Sequence, residues 1–361
     1  MINRARPERL TQERVINLFT DDNHPDCLGY NFLGDWHLKD SNSCIEEDLL
    51  RLNLKSRGYS ETHIDAALQK LESAADSTGI TLYQANLRTY NMLRYGVKVQ
   101  VVAGQSYETV HLIDWENTKN NDFSLAEEVT LKGGFQRRPD LVLYLNGLAI
   151  GVIELKRSSV DVIDGIRQLN TNQEEIFNKG FFSTVQFVFA GNDSQGLRYG
   201  TIGTPEQYFL QWKESSESKN EDYYLLDKAL TQICEKSRLL DLIYNCIIFD
   251  AGIKKVPRVH QYIGLKKAQE RIAKREGGVI WHTQGSGKSI LMVLLAKWLL
   301  EHDANSRILI VTDRDELDKQ IEGVMKNSGV IGEESASPRI VSPKDFNNKL
   351  SATMPRLLCA L

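Results

Sequence analysis

Apolar residues recur at helical spacing through positions 8–20 (Leu10, Val15, Leu18, Phe19) and again through 60–75 (Ile64, Ala67, Leu68, Leu71). Between them Asp21 to Tyr30 is rich in turn formers, and Asn42-Ser43 precede Glu46-Glu47 as a capped helix start running to about Ser56, with Gly58 as its stop. The period then shortens to that of strands. Tyr95–Val102 alternates, Thr109–Asp114 is rich in β-formers, and Phe123–Thr130 supplies a further short strand. Leu141–Leu145 and Leu148–Leu155 flank Asn146-Gly147, the strongest short hairpin signal in the chain. Asp164–Lys179 reads as helix and Val185–Ala190 as strand. These elements predict an α/β fold class, a mixed sheet with flanking helices over residues 41–213, preceded by a helical and loop extension at 1–40.

Lys213 to Asp222 is polar and charged, which predicts a linker, and helical patterns occupy about 224–250; residues 214–256 are read together as a connection. A second α/β unit opens at 257 with a helix at 261–275, strand Gly278–Trp281, helix Gly287–Leu300 and strand Arg307–Thr312. Lys254-Lys255 and Lys266-Lys267 read as solvated surface. No internal repeat is visible.

Composition narrows this little. The chain has 361 residues, 41% hydrophobic and 25% charged, as in soluble globular proteins. No apolar run approaches the roughly 18 residues of a membrane span, and the basic start lacks the apolar stretch of a secretion signal. Five scattered cysteines without CxxC spacing suggest reduced thiols and a cytoplasmic protein, not a disulfide or zinc framework. A net charge of −4 excludes a broadly basic nucleic-acid binder and leaves room for a local grip on DNA or its delivery by a partner.

Candidate chemistry lies in two places. Arg138-Pro139-Asp140 is followed by Glu154-Leu155-Lys156 on the returning strand of the hairpin. Metal-dependent phosphodiester cleavage needs carboxylates to hold the ion and a group to orient or activate water. Glu154 and Lys156 project from one face of their strand, and Pro139 suits a strand start. Asp140 joins that face only if it pairs with Glu154, Val142 with Val152 and Tyr144 with Ile150. A two-residue Asn146-Gly147 turn instead pairs Leu145 with Leu148 and Asp140 with Ile153. An odd-length loop or a one-residue bulge is therefore expected. Were Glu154 and Lys156 merely exposed on an edge strand, they would carry no chemistry. Glu46 or Glu47 is the expected third carboxylate, with Glu47 favoured, and Gln168 is expected to hold Lys156 or a phosphate. Arg137, Arg138 and Arg157 are candidate DNA contacts.

The second place is His282-Thr283-Gln284-Gly285-Ser286-Gly287-Lys288-Ser289. Gly285, Ser286 and Gly287 would wrap nucleotide phosphates, Lys288 would meet the β/γ phosphates and Ser289 Mg²⁺. His282 stands where the strict motif has its first glycine. Gln261 leads in as a candidate adenine reader, and Asp313-Arg314 ends the next strand, where Arg314 is a candidate contact to DNA. No Asp-Glu metal–water motif or second lobe follows, so ATP binding is expected without turnover or translocation.

Leu93-Arg94-Tyr95-Gly96-Val97, Leu112-Ile113-Asp114-Trp115, Ala126-Glu127-Glu128-Val129, Arg138-Pro139-Asp140, Glu154-Leu155-Lys156-Arg157, Ala190-Gly191-Asn192-Asp193 and Gly196-Leu197-Arg198-Tyr199-Gly200, with His260-Gln261 and the phosphate loop in order, resemble the restriction (R) subunit of type I restriction endonucleases. The resemblance runs from about Arg9 to about Phe346. It implies a PD-(D/E)xK, restriction-endonuclease-like nuclease followed by the first RecA-like motor lobe at 257–361. It further implies Mg²⁺ and ATP as cofactors, double-stranded DNA as substrate, and methylation and specificity subunits as partners. By motif match Asp140 and Glu154 become Mg²⁺ ligands, Lys156 the water-orienting base and Gln168 the family's glutamine. The tyrosine often found four residues after that glutamine is Asn172 here, and Ser351–Leu361 does not continue the expected motor pattern. Two other readings remain open: a DNA-repair helicase-nuclease, and a non-catalytic docking module.

Overall fold

A computed structural model of the chain describes residues 8–101, 104, 106–132, 134–214, 224–312, 322–323 and 337–360. Two compact units are present, Met1–Tyr244 and Asn245–Leu361. No described helix is long and apolar enough to cross a membrane.

The first unit is built on a six-stranded sheet. Its strands are β1 (Asn31–Asp35), β4 (Phe123–Glu127), β5 (Leu141–Leu145), β6 (Leu148–Leu155), β7 (Phe187–Asn192) and β8 (Gly196–Gly200), in that spatial order. β1 runs parallel to β4 and β6 parallel to β7; the other neighbours are antiparallel, giving the mixed sheet expected. Every residue of β5 and β6 is buried, because both strands are central and covered on both faces. Helix α1 (Glu8–Thr20) lies along β1, β4 and β6, and α5 (Val162–Asn172) covers β6 and β7. Helices α2 (Glu47–Ser56), α3 (Glu61–Ala75) and α4 (Leu82–Tyr95) follow in one run, α3 capped by Ser60 as its spacing predicts. A separate ribbon pairs β2 (Val97–Val99) with β3 (Glu108–Val110).

Three boundaries differ from the sequence reading. The 1–40 segment is not an extension: β1 is the edge strand of the main sheet, and α1 buries Val15, Ile16, Leu18 and Phe19. The 214–256 connection likewise divides, because α6 (Leu225–Cys234), which α7 (Lys236–Cys246) follows, packs on β8 in the first unit. Its burial of Leu226, Leu230 and Ile233 explains why. Helix α4 went unread; Asn86 on it is fully buried and donates to the carbonyls of Phe182, Ser183 and Val185, which ties the helix to a neighbouring turn.

The β5–β6 hairpin resolves the register question. Asn146 and Gly147 both take positive φ (54° and 82°), as a tight two-residue hairpin turn requires. Leu145 pairs with Leu148 and Tyr144 with Ala149, but Leu143 pairs with Gly151 and Leu141 with Ile153. Ile150 is the extra residue, a one-residue bulge that shifts the register and brings Asp140 opposite Glu154. The turn is locked from outside. Asn146 is fully buried, its side-chain amide donates to Leu112 O and Asn121 Oδ1 at 2.9 Å each, and its Oδ1 accepts from Asp122 N at 2.7 Å.

In the second unit β9 (Ile248–Asp250) and β10 (Ile253–Lys255) form a small hairpin. Lys254, read as surface, is 3% exposed there, its ammonium 5.3 Å from the centre of the Phe249 ring; alternation along β10 turns it inward while Lys255 pairs with Asp250. Helices α8 (Val259–Ala273) and α9 (Lys288–His302) and strand β11 (Ile308–Val311) match the expected elements. Gly278–Trp281 does not: it has no strand partner among the described residues, and Val279 and Trp281 are 88% and 90% exposed. An apolar run carries no information about whether a neighbour pairs with it. The end of the chain is corrected too. Leu357–Ala360 forms β12, parallel to β11, so the α/β pattern continues through it.

Replacing Asn146 with Ala should strand several buried backbone and amide groups and lower stability by roughly 3 kcal/mol in urea unfolding. A loss under about 0.5 kcal/mol would mean that the turn is not held by these bonds.

Candidate nuclease centre

The bulge places Asp140 at the start of β5 and Glu154 near the end of β6 on one side of the sheet. Asp140 Oδ2 accepts from the backbone N–H of Leu155 at 2.6 Å, which fixes its carboxyl against the neighbouring strand. Glu154 is fully buried, since β6 is flanked by β5 and β7; the edge-strand reading is thereby excluded. Burial pushes the Glu154 carboxyl well above the usual carboxylate range, and the adjacent Asp140 adds to the shift. Burial likewise raises Asp140 to about 6, against the opposing pull of Lys156 and of the Leu155 N–H. Two acids share a poorly solvated space that favours one proton or a cation between them.

Lys156 lies on the same side. Its ammonium is 3.8 Å from Glu154 Oε2 and 3.0 Å from Leu155 O, with only 13% of the side chain exposed. Glu154 Oε2 is buried without a hydrogen-bond partner, and Oε1 takes one long contact, 3.4 Å from the Asn172 amide. Helix α5 delivers that amide because Gly165, one face further up, lets the helix close on the sheet. A side chain there would sit 3.3 Å from Ala190 Cβ and 3.5 Å from Lys156 Cγ. Gln168 falls between Gly165 and Asn172 on that face, half-buried, and makes no side-chain hydrogen bond to a described residue.

The expected third carboxylate is not at this site. Glu46 bonds Lys39 and the backbone of Ser43, its main-chain N–H donates to Gly147 O, and Glu47 pairs with Arg51. Both therefore sit at the turn end of the hairpin, roughly 20 Å of strand from Glu154. Helix α2 was assigned to the wrong end because spacing along the chain says nothing of where a helix docks. Its place is taken by α1, unread as a source of chemistry, whose Glu8 lies 3.9 Å from the Lys156 ammonium. Gln12 on the same helix donates to Glu127 Oε2 and Glu128 Oε1. Arg14, pairing with both Asp193 and Asp227 and stacked 3.8 Å from the Tyr224 ring centre, pins α1 in place. Among the described residues no three acids, histidines or cysteines gather closely enough to form a ready-made metal cage.

The candidate DNA contacts flank the pair. Arg137 precedes β5 and Arg157 follows β6, so both lie off the same end of the hairpin. Arg157 is exposed; Arg138 bonds Glu128 Oε2 at 2.6 Å and is 46% exposed. Arg314 lies outside the described residues.

In the second unit the phosphate loop leads into α9, with Gly285 and Gly287 at φ 75° and 83°. Lys288 Nζ donates to the carbonyls of His282 and Thr283 at 3.0 Å each, occupying its ammonium with the loop itself. Ser286 is buried with its hydroxyl unbonded, and Ser289 stands in the first turn of α9. Gln261, expected at adenine, is buried and donates to Ser286 O and Gly287 O. Here it braces the loop from beneath.

Residues 8–207 match the family described as type I restriction enzyme R protein N terminus, and 260–361 match that described as SWI2/SNF2 ATPase. The type I restriction enzyme HindI endonuclease subunit of Haemophilus influenzae is 32% identical over 286 residues, 72% of this chain and 26% of the relative. A Methanocaldococcus jannaschii chain named for the MjaVIIIP endonuclease subunit is 30% identical over 76% of this chain and 28% of its own length. The SauCOLORF180P endonuclease subunit of Staphylococcus aureus is 22% identical over 58% and 23%. The chain spans about a quarter of the length of these curated relatives. With its mixed-sheet unit matched from 8 to 207 and a partial SNF2-type ATPase region behind it, the chain belongs to the type I restriction enzyme R protein N-terminal family.

Proposed function

We propose that the first unit is a Mg²⁺-dependent endonuclease that hydrolyses phosphodiester bonds of double-stranded DNA, joined to a nucleotide-binding motor lobe. The observation that carries this reading is the Asp140–Glu154 pair facing one side of the sheet with Lys156 beside it. An unpartnered buried carboxylate oxygen on Glu154 and a second acid with a raised pKa suit a hard cation with oxygen ligands. Asp140 and Glu154 would hold it, with water and a DNA phosphate completing the shell. The bound ion would supply Lewis-acid stabilisation of charge on the phosphate. Lys156 holds and orients the attacking water and accepts hydrogen-bonding competition from Leu155 O until substrate arrives. Glu8 restrains the lysine from the opposite side, and Arg137, Arg138 and Arg157 meet the DNA backbone. Gln168 is the half-buried amide available to a phosphate.

The relatives are named as endonuclease subunits of type I restriction enzymes. By that kinship methylation and specificity subunits are the partners that bring the DNA, and the mildly acidic total is compatible with such delivery. The family match favours this reading over a repair helicase-nuclease. In the second unit Gly285–Ser289 would cradle ATP phosphates once Lys288 leaves its loop carbonyls. The five free cysteines suit a cytoplasmic setting.

Glu154→Ala and Lys156→Ala should each lower Mg²⁺-dependent nicking of supercoiled plasmid by at least about a hundredfold. Both should leave the fold intact by circular dichroism. Retained cleavage in either variant would remove the chemical basis of the assignment; a wild-type chain that binds Mg²⁺ but never cuts would favour the docking reading. Lys288→Ala should abolish binding of a fluorescent ATP analogue without altering cleavage.

The raised carboxyl of Asp140 also predicts a pH dependence. Folded, it holds its proton to about 6, whereas the unfolded chain releases it near 3.8. The metal-free protein therefore loses stability as pH rises from about 4 to about 6, by roughly 3 kcal/mol for a shift of some two units. Asp140→Asn should flatten that part of the profile, and Mg²⁺ should restore wild-type stability above pH 6. Identical profiles for wild type and Asp140→Asn in chelator would show that the pair is not buried as described.

A further inference from the structure

Two loops meet beside the nuclease centre and carry side chains that the proposed chemistry does not use. Phe135 N donates to Ile176 O at 2.9 Å, and the Asn178 amide donates to Phe135 O at 3.3 Å. Gly134 presses so closely on this junction that a Cβ would lie 2.2 Å from Phe177 O, so no other residue fits. The join is rigid, yet its tip is apolar and uncovered: Phe135 is 70% exposed and Ile176 58%. Behind the tip the Phe135 and Phe177 rings are 6.0 Å apart, and the Arg137 guanidinium lies 4.0 Å over Phe177.

We propose that this junction is a wedge for duplex DNA, with Phe135 entering a groove and Arg137 meeting the adjacent phosphate. The proposal rests on the nuclease reading and deepens it. Phe135 stands only five residues before Asp140, and Ile176 four after Asn172, which contacts Glu154. Asn178, whose amide bonds Phe135 O, also donates its main-chain N–H to Asn172 O, so a short chain of contacts links the tip to Glu154. Charge supports the same occupant. Arg137 makes no ion pair to a described residue, and neither does Arg157, off the end of the partner strand. Among the described residues the other nearby cations are shared with acids, Lys132 with Asp40, Arg138 with Glu128 and Lys179 with Glu175, and Glu174 is exposed. Among the described residues, Arg137 and Arg157 are therefore the cations of this edge left free for a phosphate. Apolar wedges backed by arginine unstack a base step and bend the duplex around the protein, at a cost offset by added contact.

The test uses the full chain, chelator, and a duplex carrying 2-aminopurine at successive positions, whose fluorescence rises when its stack opens. Wild type should raise the signal at one step. Phe135→Ala should lose that rise and bind roughly tenfold more weakly, whereas Phe135→Trp should keep both. Arg137→Ala should reduce the salt dependence of binding by about one phosphate contact. Because Phe135 is exposed, the thermal midpoint of Phe135→Ala should not change. Affinity and 2-aminopurine signal equal to wild type in Phe135→Ala would overturn the wedge, as would a wild type that opens no step. Full DNA affinity with loss of binding to another polypeptide would assign the tip to a protein partner instead. Failure of the nuclease reading looks different: Phe135-dependent opening would persist in a chain that never cuts.

Discussion

A single extra residue in one strand decides whether this sheet can bring two acids together on one face. Without Ile150 bulged from the β5–β6 ladder, the tight Asn146-Gly147 turn would set Asp140 opposite Ile153 and send the two carboxylates to opposite faces. Turn and bulge are both needed. The turn fixes one end of the hairpin through buried bonds from Asn146 to the Leu112–Asp122 segment; the bulge then shifts the remaining pairs by one. Geometry at the candidate centre is thus set at the far end of the same hairpin.

That register carries an energetic cost. Glu154 is enclosed between β5, β7 and helix α5, and Asp140 stands beside it, so neither acid is well solvated. Lys156 at 3.8 Å offsets part of the repulsion but leaves one Glu154 oxygen unpartnered. A buried polar group left this way destabilises a fold unless a ligand completes it. The Asn172 amide softens the imbalance only slightly at 3.4 Å. The residue of α5 that faces the acid pair is thus a small amide, too short to close the remaining gap.

Much of the fold could be read from periodicity, because the elements concerned bury a regular face. Helices α1 and α3 do so, whereas the β5–β6 hairpin, buried on both faces, was legible from its Asn146-Gly147 turn between two apolar runs. Even the bulge was foreseeable, as the one way to reconcile a two-residue turn with an acid pair. Helix α4 was not, since Asn86 and Thr89 on its buried face are polar: Asn86 donates to distant carbonyls and Thr89 to its own helix as well as to Ser183 O. Gly278–Trp281 misled for the opposite reason: its apolar run looks like a sheet strand, but pairing depends on a neighbour that local sequence does not name. Lys254 shows the same limit, a charge placed inward by strand alternation.

The grouping of Asp140, Glu154 and Lys156 was legible in the sequence, and the helix that approaches them was not. Asp140, Glu154 and Lys156 follow from local pattern on one hairpin, whereas the helix that approaches them is selected by docking. That selection traces to Arg14. Its pairing with Asp193 and Asp227, and its stacking on Tyr224, secure α1 to the end of β7 and to α6. Thr11 adds a hydrogen bond to Asp193. With the helix held there, Gln12 reaches Glu127 and Glu128, and Glu8 comes within 3.9 Å of Lys156. Removing one partner from so buried an ionic cluster leaves the others uncompensated, so the cluster opposes displacement of α1. The beginning and end of the first unit thus support its centre: Glu8 reaches Lys156 from a helix that Arg14 fastens to both Asp193 and Asp227.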